Sequence, residues 1–123
     1  QEREKMAVIN DQFGAPTGAA LLADITALCL QRDQHLSGIY HLAAAGETTW
    51  HAYAKYVLQQ AQSLKPCLKY TVKELAAVPT SEFPTPAARP LNSRLNCSQL
   101  ENALQLKLPA WQTGVDTLLS KIL

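Results

Sequence analysis

The chain has 123 residues, of which 47% are hydrophobic and 17% charged, and its formal net charge is +1 at neutral pH. This length suits one small domain that buries roughly two-thirds of its unfolded surface. The charge gives no reason to expect nucleic acid or an anionic membrane as partners, and no apolar run is long enough to span a bilayer. The cysteines and histidines show no metal-ligand spacing, so we predict no metal site and free thiols in a reducing cytoplasm.

The first elements alternate between strand and helix. Residues 6–9 form an apolar run that predicts a short strand, and the loop 11–17 that follows contains glycine and proline. Thr17 can cap a helix over residues 18–31. This helix is apolar nearly all round, a composition typical of a helix that is buried on several sides.

The region 38–64 is the one around which we expect the rest to be arranged. The apolar run 38–43 ends in a small-residue turn and predicts a buried strand. Thr48 or Thr49 can cap the next helix, over residues 50–64, in which apolar residues recur at helical spacing. A strand that leads into a helix is half of an α/β unit and needs paired neighbours. The chain has few candidates for them and begins with glutamine, so we expect it to be part of a larger protein.

The second half contains one irregular, proline-rich stretch. Residues 70–78 predict one short strand or an extended stretch, and four prolines within residues 79–90 exclude a helix or a central strand there. The stretch is either a flexible linker or a fixed loop with a function. Phe83 and the polar sequence after it favour the fixed loop. A short helix and a last helix follow, with Pro109 placed in the first turn of the last one. The last helix has one apolar stripe at helical spacing, formed by Trp111, Val115, Leu118, Leu119 and Ile122.

Two arginines after this stretch are suited to bind an anion. The guanidinium groups of Arg89 and Arg94 present paired donors that match phosphate oxygens. Asn92 adds an amide that can bond a sugar hydroxyl, a phosphate or the loop backbone. The residues alone leave an even choice between this role and ordinary ion pairs with acids such as Glu82 or Glu101.

The loop 11–17 offers further polar side chains. Asp11, Gln12 and Thr17 are either local caps or ligand contacts, and capping is the simpler role. The turn 43–47 contains one glycine, which is no dinucleotide fingerprint. We therefore predict no cofactor-binding residue and no complete active site within the chain.

Several stretches together resemble one family, in order and in spacing. They are residues 8–24 with D-Q-F-G-A-P-T, residues 38–42 with 49–50, residues 83–95 with A-R-P-L-N-S-R-L, and residues 108–111 with L-P-A-W. They resemble the C-terminal part of the dTDP-4-dehydrorhamnose reductases, which are extended short-chain dehydrogenases/reductases. The resemblance implies an α/β fold in which residues 1–123 are the C-terminal substrate-binding portion, with the last strand and helices of a Rossmann-like sheet. The N-terminal NAD(P)-binding part would lie outside the chain.

The resemblance also implies a function. The full-length protein would reduce dTDP-4-dehydro-L-rhamnose to dTDP-L-rhamnose with NADPH or NADH in the cytoplasm, for surface polysaccharides such as the O antigen of lipopolysaccharide. No tyrosine here has a lysine four residues later, so the family's catalytic tyrosine and lysine would lie in the N-terminal part. The resemblance implies that Arg89, Asn92, Gln12 and Thr17 bind the dTDP-sugar, with Arg89 on the diphosphate.

Two other functions stay open at this point. A non-catalytic regulatory subunit on the same scaffold, like the β-type relatives of methionine adenosyltransferase, would lack the tyrosine and lysine in its full-length chain. A freestanding binding module would require that Gln1 be a true start. We expect the 123-residue piece to be inactive alone. We also expect it to self-associate or to need the missing N-terminal domain, because a sheet edge and an apolar helix would be exposed.

Overall fold

The computed structural model describes residues 4–32, 36–67 and 69–123. Within these residues the elements are β1 (Lys5–Ile9), β2 (Phe13–Gly14), α1 (Ala19–Gln31), β3 (Thr48–Thr49), α2 (Trp50–Leu64), β4 (Glu74–Val78), a 3-10 helix (Thr80–Glu82), α3 (Ser98–Leu104) and α4 (Trp111–Ile122). The predicted mixed α/β class is confirmed. None of these helices is long and apolar enough to cross a membrane.

The longest strand pairing joins β1 to β4 in parallel, over all five residues of each strand. Both predicted strands are thereby confirmed. Helix α2 packs against this pair, and the Nε2 atom of His51 lies 3.1 Å from the carbonyl oxygen of Leu75 in β4. Parallel strands are usually found inside larger sheets whose faces are both covered. Within the described residues this sheet has two strands only, and the first three residues of β1 are exposed.

Two apolar clusters form the core. One joins α1 to α3 and to the segment after α3, and its buried members are Ile25, Leu100, Leu104 and Leu108. The other joins α4 to α2 and to the turn before β3, and its buried members are Ala44, Trp111, Val115 and Leu119. Three of these four come from α4, at the helical spacing predicted for its apolar stripe. Packing in the second cluster therefore holds α4 against α2 and the turn before β3.

The strand predicted over residues 38–43 is wrong. These residues have no regular structure, and Ile39 is 81% exposed. A strand forms only where another strand can exchange backbone hydrogen bonds with it, and no described strand pairs with this segment. Its end is held differently: Ala45 donates to the carbonyl of Pro109 at 2.8 Å and accepts from the amide of Trp111 at 3.0 Å.

Two features were predicted for the starts of α2 and α4, and one of them is confirmed. The hydroxyl of Thr49 accepts a hydrogen bond from the amide of Ala52 at 3.2 Å, so the cap predicted for α2 is confirmed. Pro109 was expected in the first turn of α4 but lies one residue before the N-cap, Ala110. The carbonyl of Pro109 accepts the hydrogen bond from Ala45 in the segment before β3. The helix starts two residues after the proline.

Candidate functional site

Strand β2 brings together the three stretches that the sequence singled out. It pairs with β3 in antiparallel fashion. On the other side, the amide of Phe13 donates to the carbonyl of Leu91, and the amide of Ser93 donates to the carbonyl of Phe13, each at 2.8 Å. The loop after the proline-rich stretch is therefore attached to the sheet by backbone hydrogen bonds. This attachment supports the prediction of a fixed loop over that of a flexible linker.

A cleft of about 230 Å³ opens at this junction. It is lined by residues 12–16, residues 48–50, Tyr53 and Ser93. The aromatic rings of Phe13 and Trp50 are partly open to solvent, and Trp50 is 56% exposed. Aromatic faces beside hydroxyl and amide groups suit a small organic ligand that has a flat apolar surface and polar edges.

Sequence reasoning missed these aromatic residues of the cleft. Trp50 was assigned to the apolar stripe of α2, but it is the first residue of that helix and lies beyond the end of the core. Phe13 was treated only as part of a loop. The available signal was the position of Phe13 among glycine, proline and polar residues, where an exposed aromatic ring has no core to fill.

Gln12 lines the cleft and also anchors its loop. Its Nε2 donates to the hydroxyl of Thr80 at 3.2 Å. The adjacent carboxylate of Asp11 accepts from the hydroxyl of Thr80 at 2.6 Å and from its amide at 3.0 Å. These hydrogen bonds from Thr80 hold the pKa of Asp11 below its ordinary value. The local cap predicted for Asp11 is therefore wrong, because its carboxylate bonds the first residue of the 3-10 helix, 69 residues away.

Thr17 connects the same loop to the turn before β3. The helix cap predicted for it is wrong, because Gly18 is the N-cap of α1 and no side chain bonds there. Its hydroxyl instead donates to the carbonyl of Ala15 and accepts from the amide of Ala44, both at 3.0 Å. Thr17 is half-buried and does not line the cleft. The amide of Ala44 can donate to the Thr17 hydroxyl because the extended segment before β3 passes close to the loop.

Arg94 forms ion-pair and hydrogen-bond contacts within the protein. Its Nη1 lies 2.7 Å from a carboxylate oxygen of Glu47, and its Nε donates to the Oδ1 of Asn92 at 2.9 Å. Its guanidinium carbon lies 5.5 Å from the centre of the Phe13 ring, within the range of a cation–π contact. The even choice left by the sequence is thus decided for Arg94 in favour of an ion pair, although the acid is Glu47.

Arg89 differs from Arg94 in its contacts. It is exposed, and it makes no hydrogen bond or ion pair with any residue that the structure describes. Neither acid named for it from sequence is its partner, and Glu101 instead accepts from the amide of Leu108 at 3.0 Å. Arg89 lies outside the cleft lining, two residues before Leu91, whose carbonyl accepts from Phe13. Its charged group is therefore open to solvent.

The comparisons with known proteins agree with this geometry. A family model of the RmlD substrate binding domain matches residues 1–123. The chain belongs to the RmlD substrate binding domain family. The resemblance stated from the sequence is thereby confirmed.

The relatives with known names are all longer than this chain. The chain is 48% identical over 125 residues to dTDP-4-dehydrorhamnose reductase of Shigella flexneri, covering 99% of this chain and 41% of that protein. It is 36% identical over 122 residues to dTDP-4-dehydrorhamnose reductase of Burkholderia thailandensis, covering 94% of this chain and 41% of that protein. The chain thus spans about two-fifths of the length of the curated relatives it matches.

Solved structures support the fold. The chain superimposes on dTDP-4-dehydrorhamnose reductase from Bacillus anthracis in complex with NADP with a TM-score of 0.83 and 30% identity, covering 98% of this chain and 39% of that one. The Yersinia enterocolitica reductase gives a TM-score of 0.77 at 16% identity, again over 98% and 39%, and at that identity it supports the fold alone. The predicted fold class, an α/β portion of a Rossmann-like fold, is confirmed.

The turn before β3 does not have the features of a dinucleotide-binding turn. A dinucleotide site needs a glycine-rich turn between a paired strand and a helix. Gly46 is the single glycine in the turn before β3, the segment before it is not a strand, and the indole of Trp111 lies 3.4 Å from where a Cβ on Gly46 would stand. This turn therefore packs against the first residue of α4. In the described residues no group of three metal-ligating side chains is found either.

Proposed function

We propose that this chain is the nucleotide-sugar-binding part of a dTDP-4-dehydrorhamnose reductase. The full-length protein would reduce the 4-keto group of dTDP-4-dehydro-L-rhamnose with NADPH or NADH, giving dTDP-L-rhamnose for surface polysaccharides. The observation that carries the proposal is the junction at β2, where the loop bearing Arg89 and Asn92 is hydrogen-bonded beside a cleft lined by Gln12. The names of the relatives supply the substrate class.

Each proposed binding residue has a distinct role. Arg89 would donate two hydrogen bonds to the diphosphate and offset its charge. Asn92 and Gln12 would contact polar atoms of the sugar or phosphate at the cleft. Thr17, whose hydroxyl is already bonded to two protein groups, would act by holding the loop in place.

The hydride and proton transfers would use residues outside this chain. A reductase of this kind needs a tyrosine and a lysine four residues apart, and none is present among the 123 residues. We therefore propose that the chain alone has no reductase activity and depends on its N-terminal domain. A cytoplasmic location is supported by the three free cysteines, Cys29, Cys67 and Cys97.

The test is calorimetric titration of dTDP into the full-length protein and two variants. Arg89→Ala should weaken dTDP binding roughly ten- to a hundredfold, because a hydrogen bond to a charged group is worth about 1.5–3 kcal/mol. Arg89→Lys should recover part of the affinity, since it keeps the charge but loses the paired donors. Lys121→Ala, which removes one positive charge from the last turn of α4, is the matched control and should leave the affinity unchanged.

Each outcome has a clear meaning. An unchanged dissociation constant in Arg89→Ala, together with a lower melting temperature, would show that Arg89 serves only to hold its loop. NADPH affinity should change little in any variant. A full-length protein that binds dTDP and NADPH without turnover would favour the regulatory-subunit alternative. Turnover by the purified 123-residue chain, free of host enzyme, would overturn the assignment.

A further inference from the structure

The side chain of Asn92 is oriented by the protein. Its Oδ1 accepts hydrogen bonds from the backbone amide of Arg94 at 3.1 Å and from the Nε of Arg94 at 2.9 Å. A backbone amide and a guanidinium nitrogen can only donate. The atom that faces them is therefore the oxygen, and the amide nitrogen of Asn92 keeps its two hydrogens for another partner. Among the described residues, none accepts a hydrogen bond from it.

Arg94 is itself held from several sides. Glu47, in the turn before β3, pairs with its Nη1, and the ring of Phe13 in β2 lies beneath its guanidinium. One guanidinium thus connects the three stretches that meet at the cleft. Because each of these contacts restricts the Arg94 side chain, its Nε stays directed at the oxygen of Asn92. Asn92 is not itself a lining residue, but its two chain neighbours, Leu91 and Ser93, are hydrogen-bonded to Phe13 of the cleft, so Asn92 stands beside the cleft.

We infer that Arg94 is a positioning residue that presents Asn92 as a hydrogen-bond donor to an acceptor oxygen of the bound nucleotide sugar. This inference rests on the proposed function. With its oxygen occupied, Asn92 can only donate to the ligand. It therefore complements Arg89, which also only donates, and the two select a ligand rich in acceptor oxygens, as a diphosphate is.

Asn92→Asp tests the hydrogen bond that Asn92 donates to the ligand separately from the hydrogen bonds that hold its loop. An aspartate has the same shape and can accept both hydrogen bonds from Arg94, but it has no N–H to donate. Calorimetric titration of dTDP into the full-length protein should show affinity at least about tenfold weaker for Asn92→Asp and about tenfold weaker for Asn92→Ala, the loss expected for one hydrogen bond to a charged group. The melting temperature of Asn92→Asp should stay close to that of the wild type.

Asn96→Asp is the matched control for the added charge. The Oδ1 of Asn96 accepts from the amide of Ser98 at 3.0 Å, so it also makes a turn with the residue two positions later. The substitution introduces the same charge four residues from Asn92. It should change the dTDP dissociation constant by less than about twofold, because a charge exposed at that distance is largely screened.

The role of Arg94 is tested by Arg94→Lys and Arg94→Met. Lysine can still pair with Glu47 but has no Nε–H for Asn92, so both variants should weaken dTDP binding by a similar factor of about three, on the scale of a partly lost hydrogen bond. On the Asn92→Ala background, neither should weaken binding further, since the side chain that Arg94 positions is gone. Recovery by lysine alone would assign Arg94 a structural role through Glu47.

The failure of this inference differs from that of the proposed function. Wild-type protein that does not bind dTDP overturns both. Wild-type protein that binds dTDP through Arg89, with Asn92→Asp and Asn92→Ala binding as tightly as wild type, overturns this inference alone. If Asn92→Ala does not fold, titration of Asn92→Asp in high salt decides, because salt screens repulsion but does not restore a missing donor.

Discussion

Helices α4 and α1 are both rich in apolar residues, yet they are buried very differently. α4 buries three residues of its stripe, and its first residue, Trp111, is 6% exposed. α4 also leaves Leu118 and Ile122 exposed, at 54% and 65%. α1 buries Ile25 alone among its described residues and leaves three leucines exposed, Leu22, Leu28 and Leu30. A single stripe specifies one packing face, whereas a helix that is apolar nearly all round has a second face to cover. One face of α4 is thus packed by this chain, and we propose that the less buried α1 is covered by a surface outside it.

The largest effect is expected at Trp111. Its ring centre lies 5.0 Å from that of Tyr56 and 6.1 Å from that of Tyr53, in edge-on arrangements. Trp111→Ala should destabilise the full-length protein by about 3–5 kcal/mol, the range for removing a buried large aromatic side chain. Thermal unfolding of Trp111→Ala against Trp50→Ala measures this, because Trp50 is 56% exposed at the cleft. Equal losses from the two tryptophans would contradict the assignment of Trp111 to the core.

The second effect concerns the open face of α1. We expect the isolated 123-residue chain to self-associate, and Leu28→Glu to reduce the association by placing a charge on that face. Leu118→Glu on α4 is the matched control, since Leu118 is 54% exposed but belongs to the helix that is packed internally. Sedimentation velocity gives the mass of each species.

In the full-length protein the same substitution, Leu28→Glu, should be harmful rather than helpful. There Leu28→Glu would bury a charge against the N-terminal domain and lower the melting temperature, because an unpaired buried charge is costly. A wild-type 123-residue chain that sediments as a compact monomer and unfolds cooperatively would count against this account of α1. So would an unchanged melting temperature for Leu28→Glu in the full-length protein.

The smallest effect is a pH dependence of stability at the loop 11–17 beside the cleft. Hydrogen bonds hold this loop in place, whereas apolar packing holds α4. The hydrogen bonds from Thr80 lower the pKa of Asp11 below its ordinary 3.8. The folded state therefore favours the carboxylate, and this contribution is present above pH 3.8 and is lost as the pH falls through the lower folded-state pKa. Asp11→Asn should lower the melting temperature at neutral pH, and the difference from wild type should narrow below pH 3.8.

The control for this pH dependence is Asp24→Asn, which changes an exposed carboxylate on α1. Its melting temperature at neutral pH should stay close to that of wild type. If Asp11→Asn kept a constant difference from wild type down to acid pH, the carboxylate of Asp11 would not be the group that holds the loop to Thr80.

The sequence could identify most of the stretches that form the candidate site but not the contacts between them. The stretches around Gln12, Thr49 and Asn92 were singled out before the structure, and β2 does bring them together. The contacts inside the site were not foreseen. Arg94 was weighed as a phosphate ligand or as a partner of nearby acids, while its partner is Glu47, 47 residues away in the chain. A charged side chain in a sequence has many candidate partners, and only the folded backbone selects one of them.

The elements that followed from local pattern were those whose sequence signals recur within about four residues along the chain. The apolar spacing and threonine cap of α2 and the stripe of α4 are of this kind. The tertiary structure alone decided the features that depend on distant partners. Residues 38–43 have the composition of a strand but no described neighbour to pair with, and Asp11 caps a helix 69 residues later. Helix signals are local and can be recognised in sequence, whereas strand pairing and side-chain bonds across the fold depend on which distant segments pack together.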